Sequence, residues 1–266
     1  KMEGLPVRSI AAHAFSGRSD IRSVVLPESL VTMHLFAFYN CPRLETMELY
    51  NSADDYYDGV IRQCPLLGTI TVRCVQPENY ALIRSMLQDV DVTLTFRLLD
   101  AQGKERIKLT FPEYVNEAKE DTMARAIHFS IEGAGMAYRE CVGKRALDLA
   151  GYDRLLGRLT DYDFDVAARI AFGRLLYPEG LTEQAEEGYE SFLRDNDEKT
   201  LRFLIREDEK HSCMEEIRLM TERSLIGEEG LKTALEEASE LGRSEVCSVL
   251  MEYRAQSGSG SGAGET

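Results

Sequence analysis

A self-similarity of 23 residues limits this chain to a stack of like units. Phe15, Phe38 and Ile61 lie 23 apart, as do Ile21, Leu44 and Leu67, then Val24, Met47 and Ile70, then Leu26, Leu49 and Val72. Cys41-Pro42 recurs as Cys64-Pro65 at the same offset. Units of this size cannot bury their apolar face alone, so they stack and share one core. Within each unit the last two apolar positions alternate with polar ones, which is the period of a strand buried on one face. The spacing predicts strands at Ser23–Leu26, Thr46–Leu49 and Thr69–Val72, paired in parallel. Val25, Glu48 and Thr71 then point away from the core, with Tyr50 and Arg73 at the strand ends. These five residues are the candidate partner-binding surface. Cys41 and Cys64 occupy one niche on adjacent turns, either as a stacked disulfide or, the reading preferred for small buried residues, as two thiols.

The units resemble the leucine-rich repeat of the BspA-like bacterial kind. The marks are Ala14-Phe15-Ser16-Gly17 followed by Ile21-x-x-Val24-x-Leu26, and Ala37-Phe38 with Cys41 followed by Leu44-x-x-Met47-x-Leu49. The third copy departs, with Val60-Ile61 in place of Ala-Phe and an acidic stretch, Asp54-Asp55-Tyr56-Tyr57-Asp58, before it. The resemblance covers residues 1–75 and implies a curved solenoid that recognises proteins and carries no catalytic residues. Such repeats often occur on cell surfaces, so a secreted or surface adhesin is the alternative reading.

The period stops after Gln76-Pro77. Residues 79–88 have helical spacing and are expected to cap the solenoid, as terminal repeats require. Two alternating runs, 92–96 and 106–111, flank Asp100-Ala101-Gln102-Gly103-Lys104 and read as a β-hairpin. It either extends the sheet or opens the next domain. From about Ile131 the period is helical, and Phe164, Ala167, Ala168, Ala171, Phe172 and Leu175 form one apolar stripe. Pro178-Glu179-Gly180 ends that helix, Thr182 starts another, and Ser212 with Glu215 forms a capping box for a third. Residues 233–250 resemble an ankyrin repeat in their T-x-L-x-x-A spacing and in Gly242, which closes the first helix. Ala234 and Glu236 stand where that family has Pro and His. A fainter echo (Phe192, Asn196, Leu204) lies 46 residues upstream. This resemblance, too, implies protein binding without an active site.

The expected fold is therefore α+β. A leucine-rich-repeat solenoid (1–76) leads through a capping helix and hairpin (77–112) to an all-α, ankyrin-like helical-hairpin domain (113–256). A disordered Gly/Ser tail (257–266) follows.

Charge narrows the partners. The chain holds 31 Lys+Arg and 46 Asp+Glu, a net −15. Residues 1–75 hold 7 and 8 of these, so the acidity lies downstream. An acidic surface repels phosphate backbones and anionic membranes, which leaves a protein partner, with no nucleic acid and no membrane insertion. The six cysteines form no C-x-x-C pair and read as thiols of a reducing, cytoplasmic compartment. Lys1 precedes Met2 with the first repeat under way, so native residues are expected ahead of it, and the missing signal pattern carries little weight.

Catalysis finds no convergent groups. His13, His34, His128 and His211 are scattered without H-E-x-x-H spacing, and the first two sit beside repeat columns. Gly133-Ala134-Gly135 lacks the third glycine of a dinucleotide loop, and Gly143-Lys144 lacks the first glycine of a P-loop. Both positions are Tyr138. Asp161, Asp163 and Asp165 suit a helix N-terminus better than a metal or a glycosidase pair. No enzyme, cofactor or metal is expected.

Overall fold

The computed structural model describes residues 5–121, 126–207 and 213–259. The chain divides into two compact units, Lys1–Val166 with Tyr177–Leu181, and Ala167–Leu176 with Thr182–Thr266.

The first unit begins as a solenoid with strands β1 (Ser9–Ile10), β2 (Ser23–Val25), β3 (Thr32–Met33), β4 (Thr46–Tyr50), β5 (Asp55–Tyr56) and β6 (Thr69–Arg73). Helix α1 (Ala81–Asp89), then β7 (Leu94–Leu99) and β8 (Glu105–Phe111), complete it. Two sheets run along the stack, β1-β3-β5 and β2-β4-β6-β7-β8. All repeat strands pair in parallel at an offset of 23, and β6 pairs in parallel with β7. The hairpin thus extends the sheet, with β8 antiparallel to β7. Between the sheets the expected columns are buried, among them Phe38, Ile61, Met47, Ile70, Leu49 and Val72. Phe15 stacks on Phe38 with centroids 5.0 Å apart.

Each turn bends twice through left-handed backbone. His13, Phe36 and Gly59 have φ of 56°, 57° and 72°, and Gly17, Asn40 and Gln63 have 73°, 54° and 60°. Only two of the six are glycine, although the conformation penalises a Cβ. The repeated hydrogen bonds maintain the bends. Phe15 N donates to Ala37 O (2.8 Å), Phe38 N to Val60 O (2.8 Å) and Asn40 N to Arg62 O (2.9 Å). Gly59 cannot be otherwise, because a Cβ there would lie 2.4 Å from the Phe36 ring.

The third turn has no fourth to accept its amides, and Asp89 takes that place. Its carboxylate, almost fully buried, accepts from Gly59 N (2.9 Å), Ile61 N (3.4 Å) and the Tyr56 hydroxyl (2.5 Å), with Arg62 at 3.4 Å. Asn51 does the same for the loop that breaks the repeat. Its amide accepts from Val75 N and Gln76 N and donates to Gln76 O and Asn79 O.

The chain then forms β9 (Val115–Asp121) and β10 (Ala126–Glu132), an antiparallel pair in a sheet of its own, followed by the short helices α2 (Gly135–Glu140) and α3 (Leu149–Asp153). Residues 113–132 were expected to open a helical domain. They do not, because the register sets Ala118 opposite Phe129 and Asn116 opposite Ile131, a period of two.

The second unit consists of helices α4 (Phe164–Leu176), α5 (Glu183–Asp195), α6 (Asp197–Arg206), α7 (Met214–Glu222), α8 (Glu228–Glu240) and α9 (Ser244–Ser259), of which α4 begins in the first unit. Thr182 caps α5 by accepting from Ala185 N, and the 3-10 turn before α4 carries a Thr160–Asp163 capping box. Ser212, suggested as a capping residue, and His211, one of the four histidines weighed for a metal, lie outside the described residues.

Buried positions on these helices recur at 30 to 33 residues, not at 46. Buried Ala167, Thr200 and Gly230 fall in one column, Ala168, Leu201 and Leu231 in a second, and Ala171, Leu204 and Ala234 in a third. Tyr189, Met220 and Leu250 repeat on α5, α7 and α9. A surface ion pair repeats too: Arg169 with Glu207, and Arg202 with Glu237. Gly242, at φ 69°, ends α8 as the glycine predicted, with Arg243 N bonded back to Ala238 O (2.8 Å) and Gly242 N to Ser239 O (3.2 Å). Ser224 ends α7 in the same way. At the start of α8, Asp197 accepts from Gly227 N (2.7 Å), and a Cβ on Gly230 would lie 2.3 Å from its carboxylate.

Two outcomes follow from these contacts. Asp89→Ala strands buried amides and lowers unfolding free energy by about 3 kcal/mol, read from the guanidinium midpoint, with Asp89→Asn losing less. Gly230→Ala displaces Asp197 and destabilises more than Gly242→Ala, which has open space around it and costs about 1 kcal/mol for its backbone alone. Equal melting temperatures for the two glycine variants would contradict the Asp197 contact.

Candidate functional site

Five strands side by side present one continuous outer face, because their side chains alternate and the apolar set is turned inward. The register brings the predicted residues together. Val25, Glu48 and Thr71 stand in one row, which β7 and β8 continue with Arg97 and Lys108. Tyr50 and Arg73 stand in a second row that continues to Leu99. A third row, Ser23, Thr46, Thr69, Thr95 and Thr110, carries only hydroxyls and is buried at Thr110. At the usual strand spacing the face is about 19 Å across. Thr46 donates to Ser23 (3.0 Å), and Thr95 and Thr110 share a hydrogen bond (3.0 Å).

The charges on this face are paired across strands. Arg73 Nε donates to Glu48 (2.8 Å), Arg97 to Glu105 (3.0 Å), and Arg22 pairs with Glu45. Val25 is the most open of the predicted five, at 71% exposure, while Glu48 and Arg73 are partly covered by each other. The sequence did not place Thr95, Leu99, Arg97, Glu105 and Lys108 here, although the alternation of their hairpin was legible. What it lacked was the 26-residue step from Thr69 to Thr95, which departs from the period of 23.

Residues 5–101 match the family model of the BspA type leucine-rich repeat region, in six copies. This match reaches past the third turn and takes in α1 and β7. No curated protein and no solved structure matched the chain. The solenoid is thus similar to leucine-rich repeats, and the sheet face is the one its parallel strands build.

Several of the positions weighed for catalysis make packing contacts. Gly133 sits at φ 90°, and a Cβ on Gly135 would lie 2.2 Å from Pro112 O. Both glycines let the start of α2 approach the end of β8. Lys144 offers its carbonyl to Tyr80 N (3.0 Å), close to the start of α1. Arg139 is buried, donates to Val92 O (2.7 Å), Gly135 O and Pro112 O, and lies over the Tyr114 ring. Burial pulls its guanidinium down to about 10. His13 stacks on Phe36 and His34 on Tyr57, as ring partners across adjacent turns. Among the described residues, no three His, Cys, Asp or Glu side chains are placed to hold a metal. An open cleft of 260 Å³ holds Cys74, Tyr80 and the Arg106–Glu179 ion pair (2.6 Å).

All six cysteines are free. Cys41 and Cys64 each donate to a carbonyl of the preceding turn, Phe15 O (3.1 Å) and Phe38 O (3.2 Å). Burial pushes Cys64, Cys74 and Cys141 up to about 11, away from thiolate chemistry. The raised values favour the neutral thiol of the folded chain. Their contribution to stability is therefore fully present below the ordinary value of 9.0 and is lost as pH rises through 11. Unfolding free energy should fall between those limits, and the fall should be shallower in Cys64→Ala. A slope unchanged by that substitution would show that Cys64 is not held neutral.

Proposed function

We propose that this protein is a non-enzymatic protein-binding module whose contact surface is the outer face of its five-stranded sheet, centred on Val25, Glu48, Tyr50, Thr71 and Arg73. One observation carries the reading: strands far apart in sequence set three rows of polar and charged side chains in register on a single face. Leucine-rich repeats generally mediate protein interaction and are typically non-enzymatic, which supports it. The second unit is read as an ankyrin-like array. Its support is the recurrence of buried helix positions at 30 to 33 residues, near the ankyrin period of about 33, and the glycine-closed helix at Gly242. Adhesion at a cell surface is the second reading, favoured by the BspA type of the matched repeats. Six free thiols weigh toward a reducing, cytoplasmic setting instead.

The test uses the intact chain and a Glu48→Arg/Thr71→Arg variant as baits. Both changes are on the surface and should alter stability by no more than about 0.5 kcal/mol. A protein captured by the parent chain and lost with the variant, at an unchanged melting temperature, supports the reading. Identical captures by both baits would remove function from this face.

A further inference from the structure

The other sheet of the solenoid, β1-β3-β5, has an outer face of its own. Met33 and Tyr56 are paired across β3 and β5 and turn inward, so alternation puts Thr32 and His34 outward beside Asp55 and Tyr57. The pairing continues past the strands, since Tyr57 N donates to Met33 O (3.0 Å). The His34 ring stacks on Tyr57 with centroids 5.1 Å apart, and no other ring stacks on Tyr57 among the described residues. Tyr57 is 46% exposed, and on the turn before it Leu35 is 42% and Val31 36% exposed. Single exposed apolar residues need no explanation, but a group of them marks an interaction site.

Charge says what kind of partner fits. Where the second turn has Val31, Thr32 and Leu35, the third has Asp54, Asp55 and Asp58 at the same offsets, all three exposed. Asp55 accepts from the Thr32 hydroxyl (3.1 Å) and Asp54 from the Asn79 side-chain amide (3.1 Å), both neutral donors. Among the described residues only Asp58 has a cation, Arg62 at 2.8 Å, and that guanidinium also reaches the buried Asp89 (3.4 Å). On the five-stranded sheet the acids are cancelled across strands. Here negative charge is left over, beside an open ring and two apolar side chains. Carboxylates alone would be a solvated surface. Together with the ring they complement a flat cation on an apolar stem, which is what an arginine side chain offers.

We infer that the outer face of β3 and β5 docks a basic segment of a partner protein. An arginine guanidinium lies on the open side of the Tyr57 ring and donates to Asp55 and Asp58. Apolar side chains of the same segment rest on Leu35 and Val31. The inference is independent of the contact face proposed above, which belongs to the other sheet.

A labelled, capped peptide of sequence Arg-Leu-Arg-Leu-Arg-Leu tests this by fluorescence anisotropy against the intact chain at physiological salt. A titration to about 500 µM covers the affinity expected of so small a contact. Binding should saturate, and both Asp55→Asn/Asp58→Asn and Tyr57→Ala should weaken it about fivefold at an unchanged melting temperature. The peptide with lysine for arginine should bind more weakly, because an ammonium neither stacks nor forks as a guanidinium does. Glu236→Gln/Glu240→Gln, which removes the same charge from α8, should bind as the parent does, and so should the Glu48→Arg/Thr71→Arg chain. Absence of binding overturns the inference. So does an equal loss in the α8 variant, which would assign the binding to the general acidity of the chain. Equal binding of a Glu-Leu-Glu-Leu-Glu-Leu peptide overturns it too, by showing that apolar contact alone suffices.

Discussion

A stack of like turns satisfies each turn's amides with the carbonyls of the next, and nothing in that rule says where the stack ends. The last turn of this solenoid would leave buried N–H groups unmet, at about 1–3 kcal/mol each. Asp89 ends the series by standing in for carbonyls with one carboxylate, bonded to Gly59 N, Ile61 N and Tyr56. Burial and that neighbouring carboxylate drive the Tyr56 hydroxyl well above its ordinary range, so it stays a donor. The terminating group is also a positioning one. Asp89 is the last residue of α1, and so the bonds that close the third turn fix where α1 stops and where β7 begins.

The width of the sheet depends on that placement. β7 enters in register with β6 although the step has lengthened to 26 residues, and the hairpin then adds β8. A new strand makes a new edge, and Tyr152 bonds the backbone of Thr110 on it. That ring belongs to a run of edge-to-face contacts, Phe96 to Phe111, Phe111 to Tyr152 and Tyr152 to Tyr138. The same residue therefore packs the core and bonds the strand edge, a use suited to an aromatic body with one polar atom. The close approach of α2 through Gly135 belongs to this closure, since a Cβ there would meet Pro112 O.

What was legible in the sequence was whatever the repeat states in apolar side chains. Four columns gave the strands, their parallel pairing and the outward set Val25, Glu48 and Thr71. The left-handed bends were not legible, because His13, Phe36, Asn40 and Gln63 occupy them and none is glycine. Strands β1, β3 and β5 are two residues each, too short for a period. β9 was missed because Asn116-Glu117-Ala118-Lys119-Glu120-Asp121 is almost wholly polar and alternates without contrast. The helical repeat escaped for a different reason. Its first column is Ala167, Thr200 and Gly230, three residues alike only in being small. Close packing between helices constrains volume at such a position and leaves chemistry free, so identity-based comparison sees nothing there.

The two kinds of repeat also place their charges differently, and this bears on how the sheet face can recognise anything. On the helices, Glu228, Glu229, Glu236 and Glu240 stand in water, and the acidity of the chain comes from such positions. On the sheet, Glu48 with Arg73, Glu105 with Arg97 and Glu45 with Arg22 cancel in pairs. Paired charges produce little field beyond a Debye length of about 8 Å at physiological salt. A partner gains little from steering toward such a face. It gains from directional donors and acceptors held still by their own cross-strand bonds, which cuts the entropy lost on contact. If the proposed face binds a partner, that recognition would rest on shape and hydrogen-bond geometry, and be far less sensitive to salt than the net charge of the chain implies.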